Sequence, residues 1–116
     1  MTNDESVDVI GTHFQGTIKA NYYELVSCFG DPTDDRGTDK TTKEWKLEFL
    51  VRDDEEEEDL EIPAAIYDWK TETTPYDSYD WHVGGYGDDA LELVEVVLSS
   101  FRNTRSERGI LMEINK

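Results

Sequence analysis

The chain has two histidines and one cysteine from which proton-transfer or nucleophilic chemistry could be built. His82 follows Trp81 and precedes Gly84-Gly85, with Asp80 two residues upstream. Histidine titrates near neutral pH and a glycine-lined backbone admits a substrate closely, so a general base would be sought here. No serine or cysteine nucleophile pairs with His82 in an established order of triad residues. We therefore expect a structural histidine and no enzyme; a small enzyme using Asp80 and His82 is the alternative.

Metal and phosphate sites are not expected either. One cysteine and two histidines give no zinc-ligand spacing. The aspartates of residues 31–39 do not have the ligand spacing of an EF-hand. Gly84-Gly85-x-Gly87 lacks the lysine of a phosphate-binding loop and is followed by acidic residues. We predict no cofactor, and only weak cation binding by the acidic residues.

The charge of the chain indicates its class of partner. There are 28 acidic and 11 basic residues, a net charge of -17. Eight acids form one run: Asp53, Asp54, Glu55, Glu56, Glu57, Glu58, Asp59 and Glu61. Such a surface repels nucleic acid and anionic membranes and attracts basic protein surfaces. The run is therefore the candidate partner-binding site, and no direct contact with nucleic acid or membrane is expected.

Two explanations of the acidity remain open. Carboxylates on one face could occupy a basic groove, as in a DNA mimic that inhibits a nucleic-acid-binding defence protein of the host. Carboxylates spread evenly over every face would instead indicate a halophilic protein whose charge keeps it hydrated at high salt. The alternative function is then a virion-associated or structural module with a salt-adapted acidic surface, ahead of a small enzyme.

A second candidate surface is aromatic and glycine-rich. Its residues are Tyr67, Trp69, Trp81, His82, Gly84 and Gly85. The nearby carboxylates of Asp68, Asp77 and Asp80 disfavour nucleic acid, which needs basic neighbours. A protein-binding patch and simple filling of the core are the two interpretations.

The elements that must position these residues can be predicted from periodicity. Asn21 and Glu24 match a capping box, and the helix they begin ends at Gly30. Asp89 is the predicted N-cap of a second helix that ends near Thr104. Strands are predicted over residues 7–19, 45–52 and 62–70, with a short strand from Trp81 and a last one over residues 110–114.

This order predicts an α+β fold: one domain with an antiparallel sheet of four to five strands and two helices on one face. We expect residues 1–6 to be disordered, residues 7–116 to form the domain, and residues 53–61 to be a mobile acidic loop, because like charges resist a compact turn. We expect no signal peptide and no membrane-spanning segment, because residues 1–30 contain no long apolar stretch and no apolar run in the sequence is long enough to cross a membrane.

Several short motifs also carry a resemblance. They include Gly11-Thr12, Gln15-Gly16, Phe29-Gly30-x-Pro32, Ile66-Tyr67-Asp68-Trp69-Lys70 and Trp81-His82-x-Gly84-Gly85. Together they resemble a small protein family of bacteriophage and marine virus genomes that has no assigned activity. The resemblance implies a viral accessory protein in the host cytoplasm or the virion, and it supplies no catalytic residues. The acidic run departs from the family pattern, in which a tight turn is expected.

Overall fold

The computed structural model describes residues 1–38 and 40–114, with side chains up to residue 104. Its strands are β1 (Thr2–Asn3), β2 (His13–Ala20), β3 (Glu44–Asp53), β4 (Glu58–Tyr67) and β5 (Tyr79–Gly85), and its helices are α1 (Tyr22–Phe29) and α2 (Asp88–Ile114). The strands form one sheet in the order β1-β3-β4-β5-β2, with every neighbouring pair antiparallel. The predicted α+β fold is confirmed.

The core lies on one face of this sheet. Alternate residues of each strand point to this face, where both helices pack. Its buried members are Ile18, Ala20, Leu25, Phe29, Trp45, Leu47, Phe49, Ala64, Ile66, Trp81, Val83, Ala90, Val94 and Leu98. The Trp45 and Trp81 rings meet edge to face at 5.4 Å, and both indole N–H groups donate to backbone carbonyl oxygens. The largest side chains of the core are therefore buried without an unpaired donor.

The helices pack as their sequences indicate. The capping box of α1 is present, and Gly30 ends the helix with a φ of 88°. Gly85 lets α2 approach the sheet, since a Cβ there would lie 2.3 Å from that of Ala90. Arg102 of α2 donates to the Glu24 carboxylate of α1 at 2.9 Å, which joins the two helices.

Both termini differ from the predictions. Thr2 and Asn3, expected to be disordered, form β1, and the Asn3 amide donates to Phe29 O and Asp31 O at 2.8 Å. The predicted strand at residues 110–114 is wrong, because the α2 backbone continues to Ile114. Leu and Met in that segment are good helix formers, so the local sequence is compatible with a longer helix.

The strand predicted over residues 7–19 is shorter in the structure, where it is β2 and begins at His13. Residues 4–12 connect β1 at one edge of the sheet to β2 at the other edge. Thr12 lies over Gly84, where a Cβ would be 3.4 Å from the Thr12 hydroxyl. Gly84 faces away from the core, so this connection crosses the face opposite the helices. Val7 and Ala65 are buried outside the main core.

The acidic run forms the end of a hairpin and is not the loop we expected. β3 and β4 pair through ten residues each, from Glu44↔Tyr67 to Asp53↔Glu58. The turn is compact because the Asp53 carboxylate accepts the Glu55 N–H at 3.0 Å and Glu57 has a left-handed φ of 55°. The pairs Phe49–Ile62 and Val51–Leu60 continue the apolar alternation into the run, and they offset the repulsion between its carboxylates.

Candidate functional site

The end of this hairpin projects beyond its neighbours in the sheet. β5 pairs with β4 only from Ala64 onwards, and β1 pairs with β3 only at Leu47 and Glu48. Residues 49–63, the overhanging hairpin, therefore have no strand beside them among the described residues. A two-stranded ribbon with both edges open is accessible to a partner from several sides.

The charge of the overhanging hairpin is concentrated and of one sign. It contains all eight carboxylates of the predicted binding run, with Arg52 as its one cation. Arg52 lies 3.9 Å from the Asp54 carboxylate and 3.7 Å from that of Asp59. These pairs are exposed and screened, so they remove little of the negative potential.

The first turns of α2 extend this acidic surface. Asp89 and Glu92 line a groove of about 270 Å³ together with Val51, Leu60, Ile62, Leu93 and Val96. Residues 88–96 carry four carboxylates and no cation. We call the overhanging hairpin and residues 88–96 of α2 the acidic end.

Apart from Arg52, the basic residues whose side chains the structure describes lie in other parts of the fold. Lys19, Arg36, Lys40, Lys43, Lys46, Lys70 and Arg102 lie outside the acidic end. Other carboxylates accompany them, so negative charge is not confined to the acidic end. The distribution of charge is nevertheless uneven, because the acidic end carries twelve carboxylates and one cation.

The second predicted surface is only partly assembled. Trp81 is fully buried in the core and Gly85 packs against α2, so neither belongs to an exposed patch. Gly84 lies on the opposite face, covered by Thr12 and Tyr67. Strand alternation explains this division, because Trp81 and His82 must point to opposite faces.

What remains is an aromatic patch of Phe14, Tyr67, Trp69 and His82 on the face away from the helices. The His82 ring stacks on Trp69 with centroids 6.1 Å apart and lies 4.8 Å from Phe14. Phe14 is 57% and Trp69 38% exposed. Phe14 was missed because a register shift between Phe14 and Gly16 decides its face, and local alternation does not show the shift.

A buried carboxylate holds the loop that carries Trp69. Asp68 is fully buried and accepts the N–H groups of Thr42 (2.7 Å) and Lys43 (3.1 Å) and the hydroxyls of Thr42 (2.6 Å) and Thr71. Burial alone would raise the pKa of Asp68, but these hydrogen bonds outweigh it and lower the pKa. Asp68 is thus a structural acceptor and does not face the aromatic patch.

The groups that flank Trp69 are cations. Lys40 Nζ and Lys70 Nζ lie 5.4 and 5.7 Å from the ring centroid. Lys70 has a left-handed φ of 55°, a conformation that non-glycine residues rarely adopt. The expectation that carboxylates surround the aromatic side chains is therefore wrong at Trp69.

Asp80 and His82 do not form an acid–base pair. Both project from one face of β5, but no described residue hydrogen-bonds to the His82 ring, which lies among Phe14, Tyr67 and Trp69. Burial lowers the pKa of His82 and so favours the neutral form of the ring. Within residues 1–38 and 40–104, whose side chains the structure describes, no three His, Cys, Asp or Glu residues are placed to hold a metal ion.

Comparisons of the chain with protein-family models, curated proteins and solved structures found no match. None of the described helices is both long and apolar enough to cross a membrane.

Proposed function

We propose that this protein is a viral accessory protein that binds a basic surface of another protein through its acidic end. The observation that carries the proposal is the overhanging hairpin, where eight carboxylates and a single cation lie on a paired ribbon that projects from the sheet. An ordered ribbon loses less conformational entropy on binding than a mobile loop would.

The sharper form of the proposal is DNA mimicry. Residues two apart on a strand are about 6.6–6.8 Å apart, so Asp59 and Glu61 present carboxylates at regular spacing on one side of the ribbon. A basic groove that binds phosphates by counterion release would bind such a ribbon with a similar salt dependence. The partner would then be a nucleic-acid-binding protein of the host, such as a defence enzyme.

The experiment is affinity capture from a lysate of the host cell with three forms of the protein. The acidic-end variant carries Glu55→Gln, Glu56→Gln, Glu57→Gln and Glu58→Gln. The matched variant neutralises four exposed acids elsewhere: Glu5→Gln, Glu72→Gln, Asp77→Asn and Asp80→Asn. Both variants have the same net charge. We expect a nucleic-acid-binding protein to be captured by the wild type and the matched variant and lost with the acidic-end variant; equal loss from both would refute a localised site.

A second candidate function is a virion-associated module that self-assembles. Two observations favour it: β2 is an edge strand of the sheet, and the aromatic patch beside it is exposed. Light scattering coupled to size exclusion tests this function. Self-assembly predicts a concentration-dependent oligomer that Phe14→Ser weakens, whereas a monomer at all concentrations would exclude it.

A further inference from the structure

The groove between the overhanging hairpin and α2 is apolar at its base and acidic at its rims. Val51, Leu60 and Ile62 form the hairpin side, and Leu93 and Val96 form the helix side. Leu60 is 43% and Val96 54% exposed, so apolar surface in the groove remains in contact with water. Apolar side chains placed together in this way mark interaction sites more often than isolated ones do.

Carboxylates border this base on α2 and follow it on the hairpin, towards the turn. Asp89 and Glu92 line the groove from α2. On the hairpin, Asp53 and Glu58 form a cross-strand pair next to the pair Val51–Leu60, and strand alternation places all four on the side that faces α2. The groove therefore matches a surface that is apolar along its centre and positively charged at its margins.

The shape of the depression fits an elongated segment of a partner. The groove between the hairpin and α2 has a volume of about 270 Å³. Beyond Ile62 and Asp89 the depression continues into a second one of about 280 Å³, bounded by Pro63 and Tyr86. The site is thus elongated along the start of α2 and shallow, as is usual for grooves that bind a helix.

We infer that this groove binds an amphipathic basic helix of the partner, whose apolar stripe contacts Leu60, Leu93 and Val96 while its lysines and arginines reach the rim carboxylates. The inference rests on the proposed function and names the part of the partner that the acidic end recognises. A helix with apolar residues at i, i+3, i+4 and i+7 presents one such stripe with basic side chains on both flanks. Apolar burial adds affinity that salt does not screen, unlike pure charge attraction.

The chain offers a matched pair of variants. Leu50 and Leu60 belong to the same hairpin, in neighbouring cross-strand pairs, but lie on opposite faces. Leu60 lines the groove, whereas Leu50 is 62% exposed on the other face. Leu60→Ser and Leu50→Ser therefore remove similar side chains from one ribbon. Val96→Ser repeats the test from α2, in case Leu60→Ser disturbs the hairpin.

The probe is a fluorescent peptide of about 14 residues made of Leu and Lys, with leucines on one helical stripe. A second peptide has the same lysines with every Leu replaced by Ser. Anisotropy titrations with the full-length protein at about 150 mM salt give the dissociation constants. We expect the Leu/Lys peptide to bind at least about tenfold more tightly than the Ser/Lys peptide. Leu60→Ser and Val96→Ser should each reduce this advantage several-fold, and Leu50→Ser should not.

Equal affinity of the two peptides, or equal loss with Leu50→Ser and Leu60→Ser, would overturn the inference. The proposed function fails separately. If neutralising residues 55–58 weakens the binding of neither peptide, the acidic end is not a binding surface. In another outcome, this neutralisation weakens the binding of both peptides, but the wild type binds the two peptides with equal affinity. The acidic end then binds by charge alone, and only the groove inference is wrong.

Discussion

Replacing Asp68 should reveal how strongly this buried carboxylate stabilises the loop that carries Trp69. Asp68→Ala leaves the N–H groups of Thr42 and Lys43 without the fully buried carboxylate oxygen that both now contact. Each unpaired buried donor costs about 1–3 kcal/mol, and we expect a total loss of about 3–5 kcal/mol for breaking this charged network. That is a large part of the stability of a small domain, about 5–15 kcal/mol.

Asp68→Asn should cost less, about 1–2 kcal/mol. Its carbonyl oxygen can still accept the two backbone N–H groups, and the Thr42 hydroxyl can turn to Thr74, 2.8 Å away. Urea unfolding near neutral pH, followed by circular dichroism, gives the free energies of unfolding. Glu72→Gln, an exposed acid of the same loop, is the control and should change stability by no more than about 0.5 kcal/mol. Loss of less than about 1 kcal/mol with Asp68→Ala would refute the proposed role of the network.

The pH dependence gives an independent check. The pKa of Asp68 is lower in the folded protein than its ordinary value of 3.8. The contribution of the ionised Asp68 to the free energy of unfolding is therefore fully present above pH 3.8 and is lost as the pH falls through the pKa of the folded protein. The difference in free energy of unfolding between the wild type and Asp68→Asn should therefore shrink in acid. The other carboxylates are the same in both proteins, so their contributions to the pH dependence cancel in this difference. A difference that stays constant with pH would show that Asp68 is not ionised in the folded state.

Three further predictions concern packing and titration. Gly85→Ala should destabilise the protein by at least about 1–3 kcal/mol, because the new Cβ would lie 2.3 Å from that of Ala90. Gly87→Ala is the control: a Cβ there would meet nothing within 4 Å, so this variant should be nearly neutral. Thermal melts compare the two variants. Burial, with the Glu24 carboxylate nearby, raises the pKa of Cys28 from 9.0 to about 11, so thiol labelling at mildly basic pH should be about a hundredfold slower than in the unfolded chain; equal rates would contradict this burial. Burial lowers the pKa of His82 below 6.5, so the free energy of unfolding should fall as the pH drops from 6.5 through the pKa of the folded protein. His82→Gln should remove this part of the pH dependence. If the pH profile of the variant equals that of the wild type, the ring is exposed to water.

The elements with local signals could be predicted from the sequence. The capping box at Asn21 and Glu24 and the glycine at residue 30 determine α1 by contacts within a few residues. Alternation from Trp45 to Val51 identifies β3, because one face of that strand is buried by the helices. These features depend on backbone propensity and on one buried face, which a single segment shows by itself.

What could not be predicted depends on contacts between distant segments. β1 consists of two residues and exists because Thr2 and Asn3 pair with Glu48 and Leu47. The acidic run suggested a mobile loop, although Leu60 and Ile62 continue the strand alternation within and after it. That alternation was the available signal, and the apolar pairs with Val51 and Phe49 outweigh charge repulsion.

In the candidate site, too, some features could be predicted from the sequence and others depend on contacts between distant segments. The acidic residues could be identified directly from composition, since their charge does not depend on the fold. The groove beside them requires α2 to lie against the overhanging hairpin, which residues 88–96 do not reveal alone. The aromatic patch was divided between two faces because sequence proximity placed Trp81 with His82, whereas the strand separates them.

The most direct test of the acidic-end proposal is the salt dependence of binding to the captured partner. Dissociation constants would be measured at several salt concentrations for the wild type, the acidic-end variant and the matched variant of equal net charge. The proposal predicts that the slope of log Kd against log salt falls by several units only in the acidic-end variant, because only that variant loses ion contacts to the partner. Equal slopes for the two variants would contradict the proposal and show that net charge, not the acidic end, governs binding.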